Sequence, residues 1–506
     1  METSELWLLG AALAASLLVV YYQLAVPRRH GAGGRQLPLP PGPTALPLIG
    51  NLHNLYGEVF HHKLASLAST HGPVMTLKLG LTTVVVVSSS GAAREAYTKH
   101  DRRIAAHKIP DTNRALGFSD RSVVWLSSSD PRWKTLRGIQ ATHLFSPKGL
   151  AAVHATRARK VHEIVSYFRS RAGEEVLFGD AIYSGMLNLV SSSFFSVDMA
   201  GVGSVEAHGL RELVEHIIVA IAKPNVSDFF PFLRALDLQG LRRSTAKYLE
   251  QAFRILDDII ESRLQSTDAD GGNKKHGDFL EALLDLVSAG KMAREHVTVM
   301  LFEVFGAGGD SMSTTLEWTM AELLRNPRAM AKVREELKDV LGDKETVEEE
   351  DAARLPYLQA VLKESMRLHP VGPILIPHLA EEDGVEIGGY AVPKGTTVMF
   401  NVSAIMRDPA AWESPNEFLP ERFLNREHPV DFRGKEFEFI PFGSGRRLCP
   451  GVPMAERVVP FILASLLHEF EWLLPGGMSA EEVDVSEKFG TMTTLVVPLK
   501  VVPIIT

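Results

Sequence analysis

The chain is almost devoid of cysteine: Cys449 is the single one in 506 residues. That excludes an intrachain disulfide and a zinc site built from several thiolates. One unpaired thiol fits a reducing compartment. An excess of basic charge is missing too. Lys and Arg total 53 against 61 Asp and Glu, a formal charge of −8. No dense basic tract with interleaved aromatics occurs, so a nucleic-acid partner has no electrostatic footprint here. Internal repeats are absent. What the chain does have is apolar mass, with 45% hydrophobic residues, enough to bury a large core.

One long stretch lacks formal charge altogether. Residues 6–26 form an apolar run about as long as a hydrocarbon core is thick, preceded by Glu2 and Glu5 and followed by Arg28, Arg29, His30 and Arg35. A cleaved signal peptide wants the opposite charge order. The pattern predicts a retained single-pass anchor with basic flank over residues 1–35, the remainder facing the cytosol. Pro38, Pro40, Pro41, Pro43 and Pro47 then stiffen residues 36–50 into a hinge, a plain linker being the alternative. Residues 51–506 read as one domain.

Within that domain, β-branched density predicts strands near residues 74–79 and 84–87. Apolar spacing predicts helices over residues 242–264, 279–287, 296–324, 329–340, 356–368 and 454–470. The third of these has few charges and several glycines, and reads as buried. Residues 384–402 turn toward strand, with Gly388, Gly389, Pro393 and Gly395 as turn markers, and residues 491–503 look like paired strands. The fold class is mainly α with small β-sheets, preceded by one transmembrane helix.

Cys449 lies in a loop unlike a core segment. Gly443, Gly445 and Gly451 permit tight turns and close approach to a flat ligand, and two arginines precede the cysteine. The bland alternative is a buried small hydrophobe. A lone thiolate in such a loop can instead be the axial ligand of a haem iron, where it favours cleavage of an O–O bond. The segment resembles the cysteine loop of cytochrome P-450 monooxygenases, Phe-x-x-Gly-x-Arg-x-Cys-x-Gly, which Phe442, Gly445, Arg447, Cys449 and Gly451 satisfy. The resemblance runs over about residues 38–503. It implies the fold of that family and haem b with Cys449 as metal ligand. It also implies electrons from NADPH through a separate flavoprotein reductase, with cytochrome b5 as a further candidate donor.

Other segments carry the same resemblance. Ala307-Gly308-Gly309-Asp310-Ser311 matches the family's Ala/Gly-Gly-x-Asp/Glu-Thr, except that serine replaces threonine. An acid and an alcohol can relay protons, so Asp310 and Ser311 are the catalytic candidates, with Gly306 and Ala307 nearest the oxygen. Adjacent glycines in a helix need a reason: close helix packing, or room for haem and dioxygen. Glu364 and Arg367 share a helix face; the resemblance joins them to Arg422 in a buried network. Trp133, Arg137, Arg447 and His378 are the candidate partners of the haem propionates, an ordinary surface histidine being the alternative for His378. Phe118, Val123, Val124, Phe302, Gly306, Ala307, Val371, Ile374, Leu375, Met492 and Thr493 are pocket candidates; each could equally be core.

The Pro-Pro-Gly-Pro segment and Phe418-Leu419-Pro420-Glu421-Arg422-Phe423 resemble plant endoplasmic-reticulum members, in the branch of geraniol hydroxylases and grass hydroxylases of labdane-related diterpenes. The expected function is NADPH- and O₂-dependent hydroxylation of such a diterpene in specialised or defence metabolism. The alternatives are a monoterpenol hydroxylase, a haem-thiolate rearrangement or dehydration enzyme, and an inactive haem-binding scaffold.

Overall fold

The computed structural model describes residues 37–57, 59–199, 213, 216–269, 276–426 and 429–506. Helices dominate. Glu295–Arg325, the long helix, runs through the core, with most of its residues from Val297 to Leu324 buried. Against it lies Phe178–Phe195, a helix that is buried almost throughout and carries Ser191, Ser192 and Ser193. Small residues let the two backbones approach. A methyl group on Gly309 would stand 3.1 Å from Leu187 Cδ2, and one on Gly308 3.3 Å from Val190 Cγ2. The adjacent glycines therefore serve close helix packing. Gly306, by contrast, has nothing within 4 Å of where its methyl would lie.

Proline and acid side chains set several helix starts. Pro131–Ile139 begins with Pro at its first position and Asp130 capping the Arg132 N–H. Asp278 caps Phe279–Ser288 and also receives Arg263 at 2.8 Å, so one carboxylate does both jobs. Pro327–Leu341, Pro356–Leu368 and Val452–Glu469 complete the helices that surround the cysteine loop.

A five-stranded sheet flanks the helices, in the order Val74–Leu79, Thr82–Val87, Thr397–Phe400, His378–Leu379, Ala106–His107. Only the pair Thr82–Val87 with Thr397–Phe400 is parallel. The two tail strands do not pair with each other: one closes a local hairpin and the other joins distant segments. Thr493–Leu495 joins Glu487–Phe489, whereas Lys500–Ile505 lies between Val176–Leu177 and Phe470–Leu473. The proline-rich stretch packs onto the sheet region: Thr76 N–H donates to Pro41 O (2.7 Å), Ala391 N–H to Pro38 O (2.9 Å) and Asn51 Nδ2 to Pro43 O (3.1 Å). Gly42 fits because a methyl there would collide with the Thr76 carbonyl at 2.0 Å.

The expected membrane element requires correction. Among the described residues no helix is long and apolar enough to cross a membrane; the long helix carries several acids, and the other buried helices interleave polar side chains. The anticipated anchor at residues 6–26 lies outside the described residues. The described residues are mainly α with small sheets, and none of their helices is long and apolar enough to cross a membrane. The single-pass endoplasmic-reticulum placement has no support and is withdrawn.

Candidate active site

Three segments converge on Cys449. The loop before it folds back, with the Cys449 N–H on Phe442 O (3.0 Å) and the Leu448 N–H on Gly445 O (3.1 Å). Gly445 has φ +65°, and a methyl there would meet Asp101 Oδ1 at 2.2 Å, so glycine is required twice over. Beyond the cysteine, Gly451 caps Val452–Glu469. Burial pushes the thiol pKa up, while the N–H groups of Gly451 and Val452 and the Arg137 charge oppose the rise. The sulfur thus has donors for its charge, and Cys449 keeps part of its surface open although it sits deep in the fold.

That openness recurs on the long helix. Ala307 is exposed in the middle of an otherwise buried helix, one residue after the unopposed Gly306. Asp310 and Ser311 follow one turn on. The Ser311 hydroxyl donates to Ala307 O (2.8 Å), and its lone pairs remain available as acceptors. Thr315 in turn donates to Ser311 O (2.9 Å).

Cationic side chains gather beside the cysteine. Arg137 donates to Leu448 O. Arg447 stacks 4.8 Å over the Trp133 ring and donates to Ala105 O (2.6 Å) and Val123 O (3.0 Å). Burial, then the nearby Arg137, lowers the Arg447 pKa to about 10. The Trp133 indole N–H is buried with no hydrogen-bond partner. Two crowded guanidiniums and one orphaned donor are what a pair of carboxylates would satisfy. With the open space at Gly306 and Ala307 and a supported thiol, this set fits haem.

His378 is no surface residue. It is 2% exposed, its Nδ1–H bonds Ile104 O at 2.8 Å, and burial lowers its pKa to about 4. A neutral ring bonded that way presents Nε2 as an acceptor, so contact with a carboxylate there requires it to take up a proton.

The anticipated ion-pair residues meet. Glu364 and Arg367 are fully buried and bonded through both oxygens, at 2.7 and 2.9 Å. Arg422 Nε reaches the same carboxylate at 2.9 Å, as does the Leu419 N–H. The guanidiniums of Arg367 and Arg422 flank the Trp412 ring.

The pocket candidates divide. Phe118, Val124 and Phe302 share one apolar cluster with Phe253 and Val299, the Phe118 and Phe302 rings edge-to-face at 5.7 Å. Val371 O accepts the Thr493 N–H (3.0 Å), joining two candidates. Thr493 is buried, and its carbonyl accepts from Trp318 Nε1. Met492 O accepts the Gly490 N–H at 2.9 Å in the same turn. Val123 faces the main core, Leu375 packs with the cluster around Phe400, and Ile374 belongs to the sheet cluster with Leu77 and Met399.

Two functional-looking groups escaped sequence reasoning. Glu303 on the long helix binds the Ser122–Val124 loop. A charged side chain on this largely buried helix needs a partner, and the acid at that position was the available signal. The other is Glu487, which meets His61 at 2.8 Å, His62 at 3.2 Å and Arg407 at 3.3 Å. Burial pushes its carboxyl up, but hydrogen bonds from His369 and His61 and the Arg407 charge outweigh that and hold it well below the usual range. The arginine already neutralises this carboxylate, which ties the tail hairpin to the helix Phe60–His71.

A thiolate loop ending on a helix N-terminus, an opened helix that carries an acid–alcohol pair one turn past the opening, and paired cations define a haem-thiolate oxygenase. The chain belongs to the cytochrome P-450 family, which it matches over residues 40–497. It is similar to cytochrome P-450 76M5 of Oryza sativa subsp. japonica, 71% identical with both chains covered in full. It is also similar to ent-cassadiene C11-alpha-hydroxylase 1 of the same source, 64% identical over 100% of each chain. Oryzalexin E synthase, from that source too, is 63% identical over 99% of this chain and 98% of its own. The protein is accordingly a monooxygenase that uses O₂ and electrons passed from NADPH by a flavoprotein reductase, and it acts on a hydrophobic substrate.

Proposed function

We propose that this protein hydroxylates a labdane-related diterpene olefin in plant specialised and defence metabolism, with Cys449 as axial ligand of haem b. The observation carrying the substrate class is the apolar cluster of Phe118, Val124, Phe253 and Phe302 beside the open stretch of the long helix. Such a lining suits a hydrocarbon skeleton better than a charged metabolite. The similarity to an ent-cassadiene C11-alpha-hydroxylase supports the same class.

When bound, haem supplies the activation of dioxygen for insertion into a C–H bond. The N–H groups of Gly451 and Val452, with Arg137, stabilise the Cys449 thiolate. Trp133 Nε1, Arg137 and Arg447 would hold the propionates, and His378 would join once protonated. Asp310 and Ser311 would be the acid and the alcohol of a proton relay, the Ser311 hydroxyl giving up its bond to Ala307 O to pass its own proton on as it takes another. The aromatic cluster excludes bulk water and aims one C–H bond. Cytochrome b5 is a second electron donor, and the exposed Lys134 and Arg446 face the electron-donating partner.

The test combines the full chain, a plant reductase and NADPH with labdane-related olefins, geraniol and nerol, read by mass spectrometry. One added oxygen on a diterpene olefin, lost without NADPH, is the expected result. Turnover of the monoterpenols alone overturns the substrate class. An unchanged thiolate-type reduced-CO band in Cys449→Ser overturns the ligand assignment.

A further inference from the structure

The Ser122–Leu126 segment is neither helix nor strand, yet the main chain of Val123 and Val124 is fully engaged. Glu303 accepts the Ser122 hydroxyl, the Val123 N–H (3.2 Å) and the Val124 N–H (3.2 Å). The Ser122 oxygen accepts the Trp125 N–H at 3.1 Å. On the other side, Arg447 donates to Val123 O (3.0 Å), Val124 O (3.4 Å) and Leu126 O, and His107 Nδ1–H donates to Val124 O at 2.7 Å. Every backbone N–H and C=O of Val123 and Val124 is thus held by a side chain. Regular secondary structure contributes nothing to the placement of this loop.

The two grips come from different parts of the site. Arg447 is two residues before Cys449. Glu303 is seven residues before Asp310, close to two turns, so the two carboxylates leave nearly the same face of the long helix. Glu303 lies deep but keeps some open surface, as Ala307 does, and the Val124 side chain enters the apolar cluster with Phe118 and Phe302. The loop therefore spans from the oxygen-handling helix to the cysteine loop, and one of its walls is a pocket residue.

We infer that Glu303 is a specificity-determining positioning residue, which fixes the Val124 wall of the substrate cavity at a set distance from the haem by clamping Ser122–Val124 to the long helix. The inference rests on the monooxygenase reading for its kinetic readout only. A carboxylate suits the task because it has acceptor capacity for three donors at once; an amide oxygen does not. Burial raises the Glu303 pKa to about 7 against the pull of Ser122, the two N–H groups and Arg447, so the site holds this acid at a cost.

The experiment uses the full haem-loaded chain and the variants Glu303→Gln, Glu303→Asp, Glu303→Ala and Ser122→Ala. Amide hydrogen exchange over residues 118–126 reads the clamp without any turnover. Losing a hydrogen bond to a charged group should speed exchange there at least about tenfold in Glu303→Gln. KM for the preferred substrate should rise more than kcat falls, and the product distribution should broaden. Glu303→Asp should recover part of both effects, and Ser122→Ala should show a smaller version. If Glu303→Ala loses its reduced-CO band, Glu303→Gln and Ser122→Ala still decide. Unchanged exchange in those two overturns the clamp. Faster exchange with unaltered KM and product ratio overturns the role in specificity. Should no diterpene olefin be turned over, the exchange result still stands apart from that failure.

Discussion

Replacing Glu364 by Gln tests the energetics of the buried ion network. Glu364 and Arg367 are both 0% exposed at the side chain. The carboxylate receives four donors: Arg367 Nε and Nη2, Arg422 Nε and the Leu419 N–H, between 2.7 and 2.9 Å. An amide of equal shape offers one oxygen and turns an NH₂ toward a guanidinium. Breaking a buried pair by removing one partner costs about 3–5 kcal/mol. Arg367 keeps the carbonyls of Met406 (3.0 Å), Pro415 (2.7 Å) and Glu417 (3.2 Å), so the lower end, about 3 kcal/mol, is expected. Arg422 is 11% exposed and can regain water; Arg422→Gln should cost about 1–2 kcal/mol. Urea unfolding followed by far-UV circular dichroism measures both. At temperatures where the variant stays folded, its reduced-CO band should match the parent, because these residues touch no reacting atom. A cost below about 1 kcal/mol for Glu364→Gln, or a larger one for Arg422→Gln, would refute the reasoning.

Gly306→Ala and Gly309→Ala should part company. The first gains helix propensity of about 1 kcal/mol but fills the opening beside Ala307, so thermal stability rises and turnover falls; the second presses on Leu187 at 3.1 Å and loses about 1–3 kcal/mol, recoverable in part with Leu187→Ala. Ser311→Thr should raise product formed per NADPH consumed, since the added methyl restrains the rotamer; equal coupling in parent and variant would remove that idea. Glu303 carries a pKa raised from 4.5 to about 7, so the folded state holds a proton that the unfolded state releases across that window. Its contribution is present in full below pH 4.5 and is lost as pH rises to 7, by about 3 kcal/mol; a pH series of urea unfolding should lose this slope in Glu303→Gln.

The parts of the site legible in the sequence were those where one residue type is chemically obligatory. Cys449 with its glycines, the Glu364–Arg367 spacing and the low-charge stretch around Gly308 all announce themselves along the chain. Several long helices were legible because apolar spacing persists over many turns, and Glu295–Arg325 runs within one residue of its expected ends, whereas His154–Ser170 and Phe178–Phe195 were not anticipated. Contacts between remote segments were not. Nothing local tells that residues 493–495 and 500–505 pair with different partners, or that Ile374 turns toward the sheet while Leu375 turns toward the cysteine loop. His378 looked like a surface residue or a ligand contact, and only the strand pairing with His107 shows why it is buried. The clamp on Ser122–Val124 was hidden because two of the three donors to Glu303 are main-chain N–H groups, which no sequence letter encodes.

That last property has an evolutionary side. Glu303, Arg447 and His107 grip only the peptide groups of Val123 and Val124, and peptide groups are the same whatever side chain they bear. Val124, whose side chain enters the Phe118 and Phe302 cluster, can therefore be exchanged for another apolar residue while the loop stays where it is. Descendants of this chain could redraw the contour facing the substrate one side chain at a time, on a scaffold indifferent to the change.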